Sequence, residues 1–150
     1  MTVTSRMSVL FGASLAGVVD LGTTQSSLVR TASIELANGT GVGQADRAYA
    51  SVITLAGSAT QDIDLAGSLL DALGGAFSLA RVKGLFVLAR DTNVNNVIVG
   101  AAATNPFVGL FGATHTVTLR PGALFAAIAG VKASNGYAVT AGTGDLLRVA

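Results

Sequence analysis

The sequence contains no cysteine, no tryptophan and one histidine, and charged residues are only 11% of its 150 positions, against about 25% in an ordinary globular domain. Without cysteine there is neither a disulfide scaffold nor a thiolate metal site. With His115 as the single imidazole, no site that needs two histidines can be built within one chain. Nine Lys and Arg face eight Asp and Glu, for a net charge of +1. No basic excess exists to displace counterions, so binding to nucleic acid is not expected. Two tyrosines and no tryptophan leave few platforms for stacking a sugar ring.

What is present is apolar and small. Hydrophobic residues make up 51% of the chain, and glycine occupies 19 positions. A chain of this length buries roughly two-thirds of its unfolded surface and needs no staple. Disorder is not expected of so apolar a composition. So little charge implies that part of the surface is covered by other chains. The uncharged stretch between Asp91 and Arg120 has the length of a membrane span. Its amides at Asn93, Asn95, Asn96 and Asn105, with Pro106, argue against hydrocarbon. It reads as two or three buried strands, and no membrane partner is expected. Arg6 followed by the apolar Met7–Val19 has the outline of an export signal, but an apolar arm docking on another surface is the preferred reading.

Val, Thr, Gly and Asn are frequent and Lys and Glu scarce, which disfavours helix. Short apolar runs between turn residues predict an all-β protein, specifically a jelly-roll-like antiparallel β-sandwich with an N-terminal arm. The arm covers residues 1–43, with one or two strands, and the sandwich covers 44–150. Met7–Phe11 forms a first strand. Ser27–Leu36 alternates, with Leu28, Arg30, Ala32, Ile34 and Leu36 on one face and Val29, Thr31, Ser33 and Glu35 on the other. Tyr49–Leu55, Gln61–Leu65, Val82–Leu88, Asn96–Val99, Phe107–Phe111, His115–Leu119, Leu124–Ile128, Tyr137–Thr140 and Asp145–Val149 complete the strands, and Ser68–Leu73 is the one plausible helical turn.

Few residues carry recognisable chemistry. Asp62 and Asp64, at i and i+2 of a strand, share a face about 6–7 Å apart, a spacing that invites comparison with glycosidase carboxylates. Such pairs normally come from separate elements, and a solvated strand face explains them better. Gly39-Thr40-Gly41-Val42-Gly43 lacks the lysine and following helix of a phosphate loop and reads as a linker. Asn38-Gly39-Thr40 matches a glycosylation acceptor of the kind a Thr-rich chain produces by chance. No Gly-x-Ser-x-Gly elbow accompanies His115. No catalytic, cofactor-binding or metal-binding residue is expected, and no enzyme.

Four phrases carry a family resemblance: Asp62-Ile-Asp-Leu-Ala-Gly-Ser-Leu-Leu-Asp-Ala-Leu-Gly74, Asn95-Asn-Val-Ile-Val-Gly-Ala-Ala-Ala-Thr-Asn-Pro-Phe-Val108, Leu119-Arg-Pro-Gly-Ala-Leu124, and Gly136-Tyr-Ala-Val-Thr-Ala-Gly-Thr-Gly-Asp-Leu-Leu-Arg-Val149. From about Gln44 onward the chain resembles small virion proteins of tailed bacteriophages. The resemblance implies a structural part of the particle: a capsid decoration (cement) protein on the capsid exterior, a head fibre or a tail component. Its partners would be the major capsid protein and copies of itself, in a homo-oligomer expected to be a trimer. Related chains often continue with another strand after the last phrase, and the resemblance implies that a neighbour would supply one here. The residues expected at the interface are Val9, Leu10, Phe11, Leu15, Val18 and Val19 of the arm, with Phe107 and Phe111 as weaker candidates that core packing explains equally well. The alternative is a tail or fibre component that binds a host glycan or receptor.

Overall fold

A computed structural model describes residues 2–67, 69–133 and 135–150, and the side chain of Val19 lies outside that description. The protein is all-β, with no helix among the described residues. Two long strands open the chain. β1 (Ser5–Val19) and β2 (Gly22–Asn38) form an antiparallel hairpin, in register from Ser5 opposite Leu36 to Val19 opposite Gly22. Asp20 and Leu21 make the turn, and Gly22 follows with φ +146°, a conformation other residues rarely adopt. At about 3.3 Å per residue, the 15 residues of β1 extend about 50 Å.

The base of the hairpin is tied into the rest of the chain. β3 (Gln44–Ala45) pairs parallel to the end of β2. The loop between them is closed by Ala37 N–H to the Gly43 carbonyl (3.0 Å) and Gly39 N–H to the Ala45 carbonyl (3.1 Å). The Gly41 N–H also donates to Gln44 Oε1 at 2.9 Å. Residues 39–43, read from sequence as a linker, therefore make a closed loop. Gly43 is required there. Its φ is +66°, and a Cβ would lie 2.9 Å from the Val131 carbonyl oxygen.

The remaining strands are short. They are β4 (Gln61–Asp64), β5 (Leu69–Leu70), β6 (Ala76–Phe77), β7 (Arg81–Val82), β8 (Gly84–Leu88), β9 (Val97–Gly100), β10 (Thr116–Leu119), β11 (Leu124–Ile128), β12 (Tyr137–Ala138) and β13 (Leu146–Val149). A four-stranded sheet has the order β10-β9-β13-β4, and β11-β8, β12-β7 and β5-β6 form two-stranded ladders. Alternation turns Ile63, Val97, Val99, Val117, Leu119 and Leu147 of the large sheet inward, where they meet Leu85, Val87 and Phe125 of the β8–β11 ladder. Val99 is completely buried. Burial alternates along β8 and β10, as half-buried antiparallel strands require.

Three local expectations fail for identifiable reasons. Phe107–Phe111 is a turn and not a strand. Asn105, with φ +45°, and the bridge from Pro106 to Leu146 bend the chain inward. Phe107 and Phe111 are then 3% and 7% exposed, with Phe111 stacked at 5.8 Å on Phe125. These two candidate interface residues are core residues. The helical turn at Ser68–Leu73 is instead a strand at Leu69–Leu70, and Ser68 lies outside the described residues. The carboxylate of Asp71 accepts from the N–H groups of Leu73 and Gly75, closing the turn into β6. Tyr49–Leu55 carries the composition of a strand but has no strand partner among the described residues.

The core assignment predicts that Phe107→Ala lowers stability by about 3–5 kcal/mol. Phe86→Ala, at an exposed position, should change it by less than about 0.5 kcal/mol. Urea unfolding midpoints of the two variants check both values.

Candidate assembly surface

The register of the hairpin sorts its residues into two unlike faces. Residues directly opposite each other in an antiparallel pair share a face. One face carries Met7, Val9, Phe11, Ala13 and Leu15 of β1 beside Ile34, Ala32, Arg30, Leu28 and Ser26 of β2. The other carries Arg6, Ser8, Leu10, Gly12, Ser14, Ala16 and Val18 beside Glu35, Ser33, Thr31, Val29, Ser27, Gln25 and Thr23.

The second face is mixed: it exposes Leu10, Val18 and Val29, and several of its polar groups pair with one another. Arg6 pairs with Glu35 at 3.3 Å. The Ser8 and Ser33 hydroxyls share a hydrogen bond of 3.0 Å, and Gln25 Nε2 donates to Ser14 Oγ at 2.8 Å. The first face is apolar apart from Arg30 and the serine at its end. Phe11 is 58% and Leu15 75% exposed, and Val9 and Leu28 are exposed with them. Toward the base the same face becomes covered: Met7 and Ile34 are half-buried and Leu36 is buried. The exposed apolar stripe is thus continuous with the packed interior.

Among the expected interface residues, Val9, Phe11 and Leu15 lie together on the apolar face, whereas Leu10 and Val18 project among serines and threonines on the other. All five are exposed. Val19 ends β1 opposite Gly22, and its side chain lies outside the described residues. Leu28 and Ala32 belong to the surface but were not among the expected interface residues. Their alternation was legible in Ser27–Leu36, but which strand they sit beside depends on a cross-strand register that one strand does not encode.

The carboxylates singled out from the sequence are structurally engaged. Asp62 on β4 lies opposite Arg148 on β13. Arg148 grips it twice, Nε to Oδ1 and a terminal guanidinium nitrogen to Oδ2, each at 2.8 Å. Asp64 Oδ1 accepts from the N–H groups of Ala66 and Gly67 at 3.0 and 2.7 Å and so shapes the turn after β4. His115 is exposed, its backbone N–H bonded to the Gly112 carbonyl. No group of three or more His, Cys, Asp or Glu suited to a metal ion occurs among the described residues. No helix among them is long and apolar enough to cross a membrane.

A second surface lies beneath the hairpin base. A groove of about 1630 Å³ is lined by residues 45–58, by β7 and β8, and by Asn93–Val97, with Met7 and Leu36 also on its lining. Its basic side chains are partly committed. Arg6 turns to Glu35, and Lys83 Nζ donates to the Ala133 carbonyl at 2.9 Å.

The chain matches no family model, no curated protein and no solved structure. Its surfaces are therefore read from their own chemistry.

The hydrogen bonds from Arg148, aided by its charge and opposed by partial burial, hold the Asp62 carboxyl below the usual carboxylate range. A carboxyl that is harder to protonate when folded adds stability above its unfolded value near pH 4, and this is lost as the pH falls through the lowered folded value. Asp62→Asn is therefore expected to melt below the parent at neutral pH, with the difference shrinking toward about pH 2. Melting temperatures across that range check the sign.

Proposed function

We propose that this protein is a non-enzymatic structural protein of a bacteriophage virion, a capsid decoration protein that stabilises the head by binding the capsid lattice and its own symmetry mates. The observation that carries the reading is the long hairpin with large apolar side chains exposed on both faces, gathered on one of them into a stripe of Val9, Phe11, Leu15 and Leu28. A two-stranded hairpin is at best marginally stable alone in water. One this long, with Val9, Phe11, Leu15 and Leu28 exposed on one side, is accounted for by a partner that covers it. The resemblance of its sequence phrases to small virion proteins suggests the kind of assembly.

In this reading residues 1–43 form the arm and the compact remainder is a jelly-roll-like sandwich. The meeting of the four-stranded sheet and the β8–β11 ladder over one core favours a sandwich arrangement. The protein would act by linkage: a ligand that binds only the assembled shell stabilises that shell by mass action. Its place would be the outside of the capsid, its partners the major capsid protein and a closed oligomer of itself, with three-fold symmetry as the expected form. A tail or fibre component that binds a host glycan is the alternative, and the scarcity of exposed aromatic rings weighs against it.

Replacing the apolar stripe without touching the core tests the reading. The triple variant Val9→Ser, Phe11→Ser, Leu15→Ser is expected to keep the parent's near-ultraviolet circular dichroism while losing particle binding, measured by co-sedimentation with capsids. Undiminished binding would contradict the proposal. Cryo-electron microscopy of particles carrying the parent chain should place it outside the capsid at three-fold or quasi-three-fold positions. Density confined to the tail would select the alternative.

A further inference from the structure

Two sets of unpaired backbone groups face the same groove. The first belongs to β8. Antiparallel pairing with β11 puts Leu124 opposite Leu88 and Ile128 opposite Gly84. Just beyond the ladder, Ala129 N–H donates to the Lys83 carbonyl at 2.7 Å and Ala89 N–H to the Ala123 carbonyl at 2.9 Å. Hydrogen-bonding direction alternates along a strand. Lys83, Leu85, Val87 and Ala89 therefore point their backbone groups toward β11, and Gly84, Phe86 and Leu88 point theirs away from it. The groups of these three residues have no backbone partner among the described residues. This open edge lines the groove.

The second set belongs to residues 47–55, which line the same groove. This segment makes no backbone hydrogen bond to any described residue. Its composition is nevertheless that of a strand, and it alternates like one: Ile53 and Leu55 are half-buried, while Val52 and Thr54 are exposed. It is anchored at both ends, by β3 on β2 and by β4 on β13. Residues 47–52 and Gly84, Phe86 and Leu88 are exposed, so their unpaired backbone groups are open to another strand. An unprotected strand edge is a template for another chain.

We propose that the segment Arg47–Leu55 of one copy adds as a strand to the β8 edge of a second copy. The same chain carries both an edge with unpaired groups and a segment with unpaired groups, and both line one groove. Main-chain hydrogen bonds would supply affinity, and the alternating side chains specificity, as in other strand additions. Each copy offers one donor and one acceptor, so the contact is either reciprocal between two copies or head-to-tail around a ring. This deepens the self-association in the proposed function and does not depend on where in a virion the protein sits.

The absence of cysteine makes the test clean. Val52→Cys and Phe86→Cys alter exposed side chains on the donor and acceptor. The two single variants, carrying different affinity tags, are co-expressed and treated with a short bis-maleimide, which tolerates a slip in register. The expected product is a mixed-tag species at about twice the 14.9 kDa chain mass. It should be absent when Val94→Cys, exposed on the neighbouring loop, replaces Val52→Cys. Cross-linking only within one chain, in the double variant Val52→Cys, Phe86→Cys, would show the segment closing on its own β8 and overturn the proposal. No cross-link in either experiment would also overturn it. An oligomer that persists in sedimentation while cross-links fail would refute strand addition and leave the hairpin-based reading standing; a monomer would count against both.

Discussion

An extended backbone must have its polar groups satisfied, by a neighbouring strand or by water, and its apolar face covered. That constraint organises the whole of this protein. The compact part comes nearest to meeting it, with the four-stranded sheet and the β8–β11 ladder closing over Val99, Leu119, Leu147 and the phenylalanines while the outer edge of β8 stays open. The hairpin meets it by half: its strands pair with each other and one face is knit by Arg6–Glu35 and Ser8–Ser33, but the opposite face is exposed hydrocarbon. Residues 47–55 meet it least, with extended backbone and no ladder.

These three degrees of satisfaction run along the chain in a way that suits assembly. The best-packed region supplies a rigid base. Gly43, close against Val131, and Leu36, buried at the end of β2, fix the hairpin to that base, so the apolar stripe is presented in a defined place. Low charge has its physical sense here. Few ion pairs need to be desolvated when a flat β surface is covered, and Ala and Gly on the strands let another backbone come close. The same economy leaves little chemistry, and the two carboxylates that looked reactive in isolation are occupied by Arg148 and by the turn after β4.

Much of the fold was legible where the residues alternate. Leu124–Ile128 is β11 with the expected bounds, and Gln61–Leu65, His115–Leu119 and Asp145–Val149 are strands to within one residue at either end. The alternation in Ser27–Leu36 correctly foretold the two faces of β2. The second half of β1 was not legible, because Gly12, Ala13, Ala16 and Gly17 weaken any strand signal and only pairing with β2 holds them extended. The run at Phe107–Phe111 misled because an apolar stretch without alternation fits a buried turn as well as a strand. Tyr49–Leu55 was read as a strand from propensity alone, and propensity does not say which edge, or whose, a strand will join. Of the candidate surface, the apolar residues of β1 were visible in the sequence. Their union with Leu28 and Ala32 into one stripe required the register.

The central claim is that the single chain leaves β surface and backbone groups that only association completes. The most direct test is the mass of the native protein in solution, by sedimentation equilibrium across the micromolar range. The account predicts a closed oligomer, an integral multiple of 14.9 kDa, that persists on dilution. A chain that remains a well-folded monomer throughout would contradict it.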